Sequence, residues 1–470
     1  MARVSVTLAR LGLLALSVVL AAAGALVLVR LADYTLFGSI VLIGTVGGAA
    51  LVLAYSAIWL RASVMTRIAR ELIMIGVSLL VAEFLIAWVA PDSSSRQVER
   101  MRVAHRLGIP FDPRTRSMVI EQMREQGEEV LPGISRDWPR LGPIRQQLPV
   151  NLFPLGDASR AKVVECNEGG RYVFLQTDEF GFNNPPGVLA SREVEIAIVG
   201  ESFAVGHCVP PDQNLVAVIR RAHPRTVNLG MAGSNSLSML GSFREYVEPL
   251  RPPLVLWIMN PNDVDPWREY SDSLLVRYLE PKFSQHLIDR QPEIDRAWRE
   301  IAIPSQWESD RRSLLDIRDA ENTRFSRIVF LPRLRSRLEL DAPLRRPEAP
   351  VDLSLFLRIV RLAHDTTQAW GGKFLIIIMP LYEDVVVRQL PPAERHENIA
   401  RQLRSAGIEV IDAASLFASR ADPAALYTLG INNHPNAAGH ALLGHYIVEE
   451  LTRRNPPVLA AKHWVQKNEK

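Results

Sequence analysis

The sequence predicts an α/β protein, with three apolar N-terminal helices followed by a doubly wound, mainly parallel five-stranded sheet that carries a helical insertion. Two observations lead there. Residues 11–29, 34–60 and 72–90 are apolar stretches long enough to cross a hydrocarbon core about 30 Å thick, and the first two contain no charge. From residue 194 onward, short apolar runs alternate with amphipathic segments, the pattern of a parallel sheet covered on both faces.

Residues 1–91 are read as three transmembrane helices. Arg3 and Arg10 precede the first, and Arg61, Arg67 and Arg70 lie between the second and third, whereas the first loop has only Arg30 balanced by Asp33. By the positive-inside rule the N-terminus is cytoplasmic and everything after Pro91 faces outward. The alternative is a cleaved signal peptide over residues 1–25. Glu83, the one carboxylate inside a span, sits within about two turns of the outer boundary and is expected to reach interfacial water.

Residues 92–190 are charged and proline-studded, with helical patches over 97–106 and 117–126, and read as a tether and small cap. The domain at 191–455 has strands expected over 194–199, 226–229, 254–259, 373–379 and 408–411. Helices are expected over 214–222, 237–250, 355–370, 393–405 and 437–453. An insertion at about 267–350, rich in Arg, Asp and Glu, separates the third and fourth strands and is assigned to a lid or specificity region for substrate access, with a solvated helical excursion as the alternative. Residues 456–470 form a tail.

A net charge of +3 over 470 residues gives no case for nucleic acid. The chain has no phosphate loop, no dinucleotide fingerprint and no Cys/His cluster with metal spacing, so neither cofactor nor metal is expected. Cys166 and Cys208 are the only cysteines. In an oxidising compartment they can pair and pin the loop at Ser202 to its flank; two separate thiols are the alternative.

In a doubly wound sheet, ligands bind beyond the carboxyl ends of the strands, so residues following those ends converge on one crevice. GESFAVG places Ser202 after the first strand, NLGMAGSNS places Gly233 after the second, IMNPNDV places Asn262 after the third, and NNHPNAAGH places His434 before the last helix. A serine nucleophile, a glycine and an amide that present N–H groups to an oxyanion, and an imidazole base are the parts of an acyl-transfer site.

These blocks resemble the SGNH/GDSL hydrolase superfamily over residues 194–451. ECNEGGRYVFLQTDEFGFNNP at 165–185 and RLGIPFDPRT at 106–115 are similar to a membrane-anchored bacterial branch of it. The resemblance implies Ser202 as nucleophile, with its own N–H, Gly233 and Asn262 forming the oxyanion hole and His434 acting as base. Three departures stand out. Glu201 replaces the motif's aspartate, a change assigned to support of the turn. Asn260 and Pro261 precede Asn262 where glycine is usual, and Ile431 occupies the place of the aspartate three residues before the histidine. The last predicts a Ser-His dyad, with Asn432 as the orienting group.

The resulting expectation is a serine esterase or O-acyltransferase in a bacterial inner membrane, its catalytic domain on the periplasmic or exterior side. Its substrates are acyl esters of envelope glycans or lipids, and a membrane-embedded acyl-donor partner is a further expectation. The rival expectation, founded on Ile431, is an inactive fold that binds acylated or glycosidic ligands.

Overall fold

The fold, a computed structural model, describes residues 2–29, 36–89, 96–136, 144–265, 272–322, 331, 352–387, 392–431 and 434–454. Two compact units form, one from residues 1–94 and 315–350, the other from residues 95–314 and 351–470.

In the first unit, α1 (Ala2–Val29), α2 (Leu36–Trp59) and α3 (Ala62–Val89) pack around Leu13, Leu53, Ala57 and Met65. Ser17 Oγ donates to the Ala50 carbonyl at 2.9 Å, tying α1 to α2. The helices fall where the apolar stretches lie. Among the described residues, however, none is long and apolar enough to cross a membrane, which corrects the expected three spans. α3 carries Arg67, Arg70, Glu71 and Glu83. Glu83 is buried instead of reaching water.

The second unit is built on a five-stranded sheet that is parallel at every pairing. Its strands are β4 (Ile196–Gly200), β5 (Thr226–Asn228), β6 (Leu254–Met259), β7 (Lys373–Ile378) and β8 (Glu409–Asp412). Alternation decides which face each residue serves. Ala197, Val199, Val255, Trp257, Met259 and Ile376 join one core, with Phe356, Ile359 and Leu403 from the helices Ser354–Ala369 and Pro392–Ser405. Ile196, Ile198, Leu256, Ile258 and Ile377 join the other, with Leu215, Ile219, Leu443 and Ile447 from Leu215–Ala222 and Ala437–Arg454. Burial on both faces is why these strands read as unbroken apolar runs. Each fully buried aliphatic side chain contributes about 1.5–3 kcal/mol.

A smaller sheet was not foreseen. β1 (Val130–Pro132) pairs parallel with β2 (Lys162–Val164), which pairs antiparallel with β3 (Phe174–Gln176). Glu165 N–H donates to the Val173 carbonyl and Val173 N–H to that of Cys166, so the β2–β3 ribbon projects residues 166–173 as its tip. The described part of the insertion includes the helix Gln291–Asn322. It buries Ile294, Trp298 and Ile301 in the first core and bonds Gly156, Ser159 and Ser117 through Trp298, Asp295 and Asp310. The predicted tail at 456–470 lies outside the described residues.

At the far side of the sheet, buried His396 bridges two carboxylates, with Nε2 2.9 Å from Asp384 and Nδ1 3.2 Å from Asp412. Donation by both ring nitrogens requires the imidazolium. Burial alone would lower its pKa, but hydrogen bonds to Asp384 and Asp412 raise it to about 9. A raised folded pKa contributes stability that is complete below the unfolded value near 6.5 and is lost as pH rises through about 9. Accordingly, His396→Gln is expected to destabilise the fold by roughly 1–3 kcal/mol at pH 6 and by much less at pH 10, as measured by urea denaturation.

Candidate active site

β4 delivers the chain into a turn that only glycine permits. A Cβ on Gly200 would lie 2.6 Å from that of Ala204 and 2.7 Å from the Ile258 carbonyl oxygen. A one-turn helix, Ser202–Val205, follows at once; Glu201 caps it by accepting from Phe203 N–H at 3.1 Å, and Gly206 closes it at φ 77°. Ser202 therefore stands at the carboxyl edge of the sheet, where its Oγ lies 3.0 Å from His434 Nε2. The Glu201 carboxyl group also lies within hydrogen-bond distance of Oγ, whose single proton goes to one acceptor at a time, so Glu201 touches the Ser202 side chain as well as supporting the turn. Burial pushes the Glu201 carboxyl up, away from the charged form.

His434 is set by the residues around it. Thr428 N–H donates to its carbonyl, and Asn436 caps the final helix by accepting from Ala438 and Gly439 N–H at 3.0 and 3.1 Å. The third member of the chain comes from an unexpected place. His434 Nδ1 is 2.8 Å from Glu168 Oε2, at the tip of the β2–β3 ribbon. The expected dyad is thereby corrected to a Ser202–His434–Glu168 relay, with the acid 266 residues upstream of the histidine. Ile431 contributes no charge, and Asn432 lies outside the described residues. The other carboxylate oxygen of Glu168 accepts from Arg100 Nη2 at 2.6 Å.

Several contacts hold the ribbon tip. A disulfide joins Cys166 to Cys208, with Cα atoms 5.4 Å apart, so the tip is tied directly to the serine loop. A bridge closing a loop of this size contributes about 4 kcal/mol in the loop-entropy account. Asn167 Nδ2 donates to the Asp112 carbonyl at 2.6 Å, and Asp112 N–H to that of Gly170 at 2.8 Å. Beside the bridge, His207 Nδ1 lies 2.9 Å from Glu165 Oε2, and the His207 ring meets that of His434 edge-on at 5.0 Å. This second His–Glu pair was missed in the sequence. The candidate metal groupings here, Cys166–His207–Cys208 and Glu168–His207–His434, consist of the disulfide, the relay and that pair.

Gly233 and Asn262 follow β5 and β6, the two strands that flank β4, which brings both loops to the same sheet edge as Ser202. Gly233 adopts φ 76°, the left-handed region that favours glycine. Asn262 lies in the 3₁₀ turn Pro261–Val264, and its exposed side chain emerges where Asn260 accepts its N–H at 2.8 Å. Asp263 is structural, accepting from Asn260 N–H. The two loops are fastened to each other: Asn235 Nδ2 donates to the Asp265 carbonyl at 2.7 Å and Ser236 Oγ to that of Asp263 at 3.0 Å. His440, which has no role in the sequence reading, accepts from Leu215 N–H, and burial pushes its pKa down to about 3.

Electrostatics favours proton transfer along the relay. Burial by itself would raise the Glu168 pKa, but the charge and hydrogen bond of His434, and then Arg100, hold it well below the ordinary range. Burial would lower the His434 pKa, yet Glu168 and Glu201 together raise it above its ordinary value. A base must be neutral to accept a proton, so the acid limb of the pH–rate profile is expected to have its midpoint above 6.5. Labelling rates measured with a fluorophosphonate from pH 5 to 9 check this.

No family model matches the sequence, and no curated protein does. Solved structures resembling the chain include the lipase/acylhydrolase from Enterococcus faecalis, at 13% identity, 56% of this chain, 96% of that one and a TM-score of 0.32. A G-D-S-L family protein from Desulfitobacterium hafniense gives 14%, 54%, 96% and 0.30. A catalytic mutant of an acetylxylan esterase from Geobacillus stearothermophilus gives 12%, 55%, 94% and 0.30. Likeness at this level carries no argument about function; the geometry of the site does.

Proposed function

We propose that the protein is an SGNH-type serine esterase or O-acyltransferase. The observation that carries this reading is the continuous hydrogen-bonded relay from Ser202 through His434 to Glu168. His434 Nε2 takes the Oγ proton as Oγ attacks an ester carbonyl, and ionised Glu168 stabilises the imidazolium that forms. Negative charge on the former carbonyl oxygen is received by the Ser202 and Gly233 N–H groups and the Asn262 amide. Collapse of the tetrahedral intermediate expels the alcohol, which takes its proton from His434, and leaves an acyl-Ser202. Water then completes hydrolysis, or an alcohol completes transfer.

The substrates proposed are acyl esters of envelope glycans or lipids, with the domain held at the bacterial inner membrane facing the periplasm or exterior. Support for attachment comes from Leu8, Leu11, Val19, Leu51, Ile58 and Ile73, large apolar side chains exposed on the first unit. A membrane-embedded acyl-donor partner belongs to the transferase version. The rival binding-module reading drew on Ile431, and the Glu168 carboxylate 2.8 Å from His434 Nδ1 counts against it. The test compares acyl content of envelope glycans and lipids in a deletion strain complemented with wild type or Ser202→Ala. Wild type is expected to change acylation and the variant to leave it at the deletion level, whereas equal complementation overturns the reading.

A further inference from the structure

We propose that Arg100, on the helix leading out of the N-terminal helices, is a positioning residue of the catalytic relay, so that this connecting segment is built into the active centre. The inference rests on the hydrolase reading above. α4 (Arg96–Arg106) begins after six residues beyond the end of α3 and belongs to the same compact unit as the sheet. One of its faces carries Arg100, Val103 and Ala104, the i, i+3, i+4 spacing of a helical stripe. Val103 and Ala104 are buried, and α4 packs against Thr428–Gly430, the turn that precedes His434. The helix thus abuts the loop of the base while its arginine holds the acid.

Glu168 has two carboxylate oxygens and two obligations. Oε2 serves His434 Nδ1 at 2.8 Å, and Oε1 is held by Arg100 Nη2 at 2.6 Å, with the Glu168 side chain only 8% exposed and that of Arg100 18%. A carboxylate fixed at one oxygen cannot rotate the other away from its histidine. Charge-assisted hydrogen bonds of this kind are the stronger ones, and a guanidinium stays charged across the working pH range.

The charged and titratable groups around His434 come from every element packed against it: Glu168 and Glu165 from the ribbon, Glu201 and His207 from the serine turn, Arg100 from α4, and His440 from the final helix. Arg100 acts on the imidazole in the opposite sense to Glu168. It opposes the imidazolium charge, while Glu168 favours it. Removing each should therefore move the base in opposite directions, an outcome that a purely structural role for Arg100 does not produce.

The experiment uses the full-length protein and a fluorophosphonate probe, with labelling rates followed from pH 5 to 9 for wild type, Arg100→Gln, Arg100→Lys and Glu168→Gln. Arg100→Gln is expected to label about 10–100-fold more slowly at the plateau, with the acid-limb midpoint raised by about 0.5–1 pH unit. Arg100→Lys should restore the midpoint while recovering only part of the rate, and Glu168→Gln should move it downward. An unmoved midpoint in Arg100→Gln, or the same upward shift in Arg100→Lys, overturns the role assigned to Arg100. Should Arg100→Gln not fold, the Arg100→Lys comparison decides alone, because wild-type rate and midpoint there contradict a need for guanidinium geometry. Absence of labelling in folded wild type overturns the hydrolase reading itself.

Discussion

Ser202→Ala is expected to abolish labelling by a fluorophosphonate and to lower ester turnover by about 10⁵–10⁶, leaving the residual rate that binding and oxyanion donors supply. The substitution removes one oxygen from the first residue of a helical turn whose backbone is set by Gly200, Glu201 and Gly206. The variant should fold as wild type does. What it loses is the only hydroxyl bonded to His434 Nε2 among the described residues. Turnover of an aryl acetate, compared at equal protein concentration and matched thermal stability, checks this; retention of more than about a hundredth of the wild-type rate would move the nucleophile elsewhere.

Glu168→Gln is expected to cost about 10⁴ in turnover with little change in KM, because an amide preserves shape but removes the charge that stabilises imidazolium. The loss should appear in kcat, since Glu168 is buried and its two carboxylate oxygens engage His434 and Arg100. Reversal of the amide can also leave Nδ1 facing a donor, which selects the wrong tautomer. Glu168→Asp tests the same point from the other side, because it retains the charge on a side chain one methylene shorter. A variant with an intact kcat would make Ser202–His434 a self-sufficient dyad.

The main sheet was legible because its chemistry is local. Runs such as LVLWIM over Leu254–Met259 bury every residue, so length, β-branching and bounding turns sufficed to place five strands in register with the observed ones. Ser202, Gly233 and Asn262 follow strand ends and His434 precedes the last helix, and the structure brings Ser202 and His434 together as that placement leads one to expect. The acid was not legible. Glu168 reaches His434 from the tip of a ribbon whose strands are three residues long, too short for any period to show. One signal was nonetheless present. A bridge between Cys166 and Cys208 carries Glu165 and Glu168 to the serine loop, and following that constraint one residue back and two forward would have found both His–Glu pairs. No local spacing marks it, because Glu168 stands 266 residues from His434 in the chain.

The amphipathic helices show the same division. Ala437–Arg454 was foreseen because its stripe faces a strand layer, whereas the helical stretch expected over 237–250 passes midway from the α-helix Ser236–Ser242 into a π-turn at Phe243–Val247. An inserted residue of that kind leaves no mark in a hydrophobic pattern.

The most direct test of the Ser202–His434–Glu168 relay is the rate and site of covalent modification by a fluorophosphonate, read by peptide mass spectrometry on wild type and Glu168→Gln at pH 8. The relay predicts a single adduct on the peptide containing Ser202 in both proteins, formed about 10³-fold or more slowly in the variant. An adduct on another residue, or equal rates in the two proteins, would contradict it.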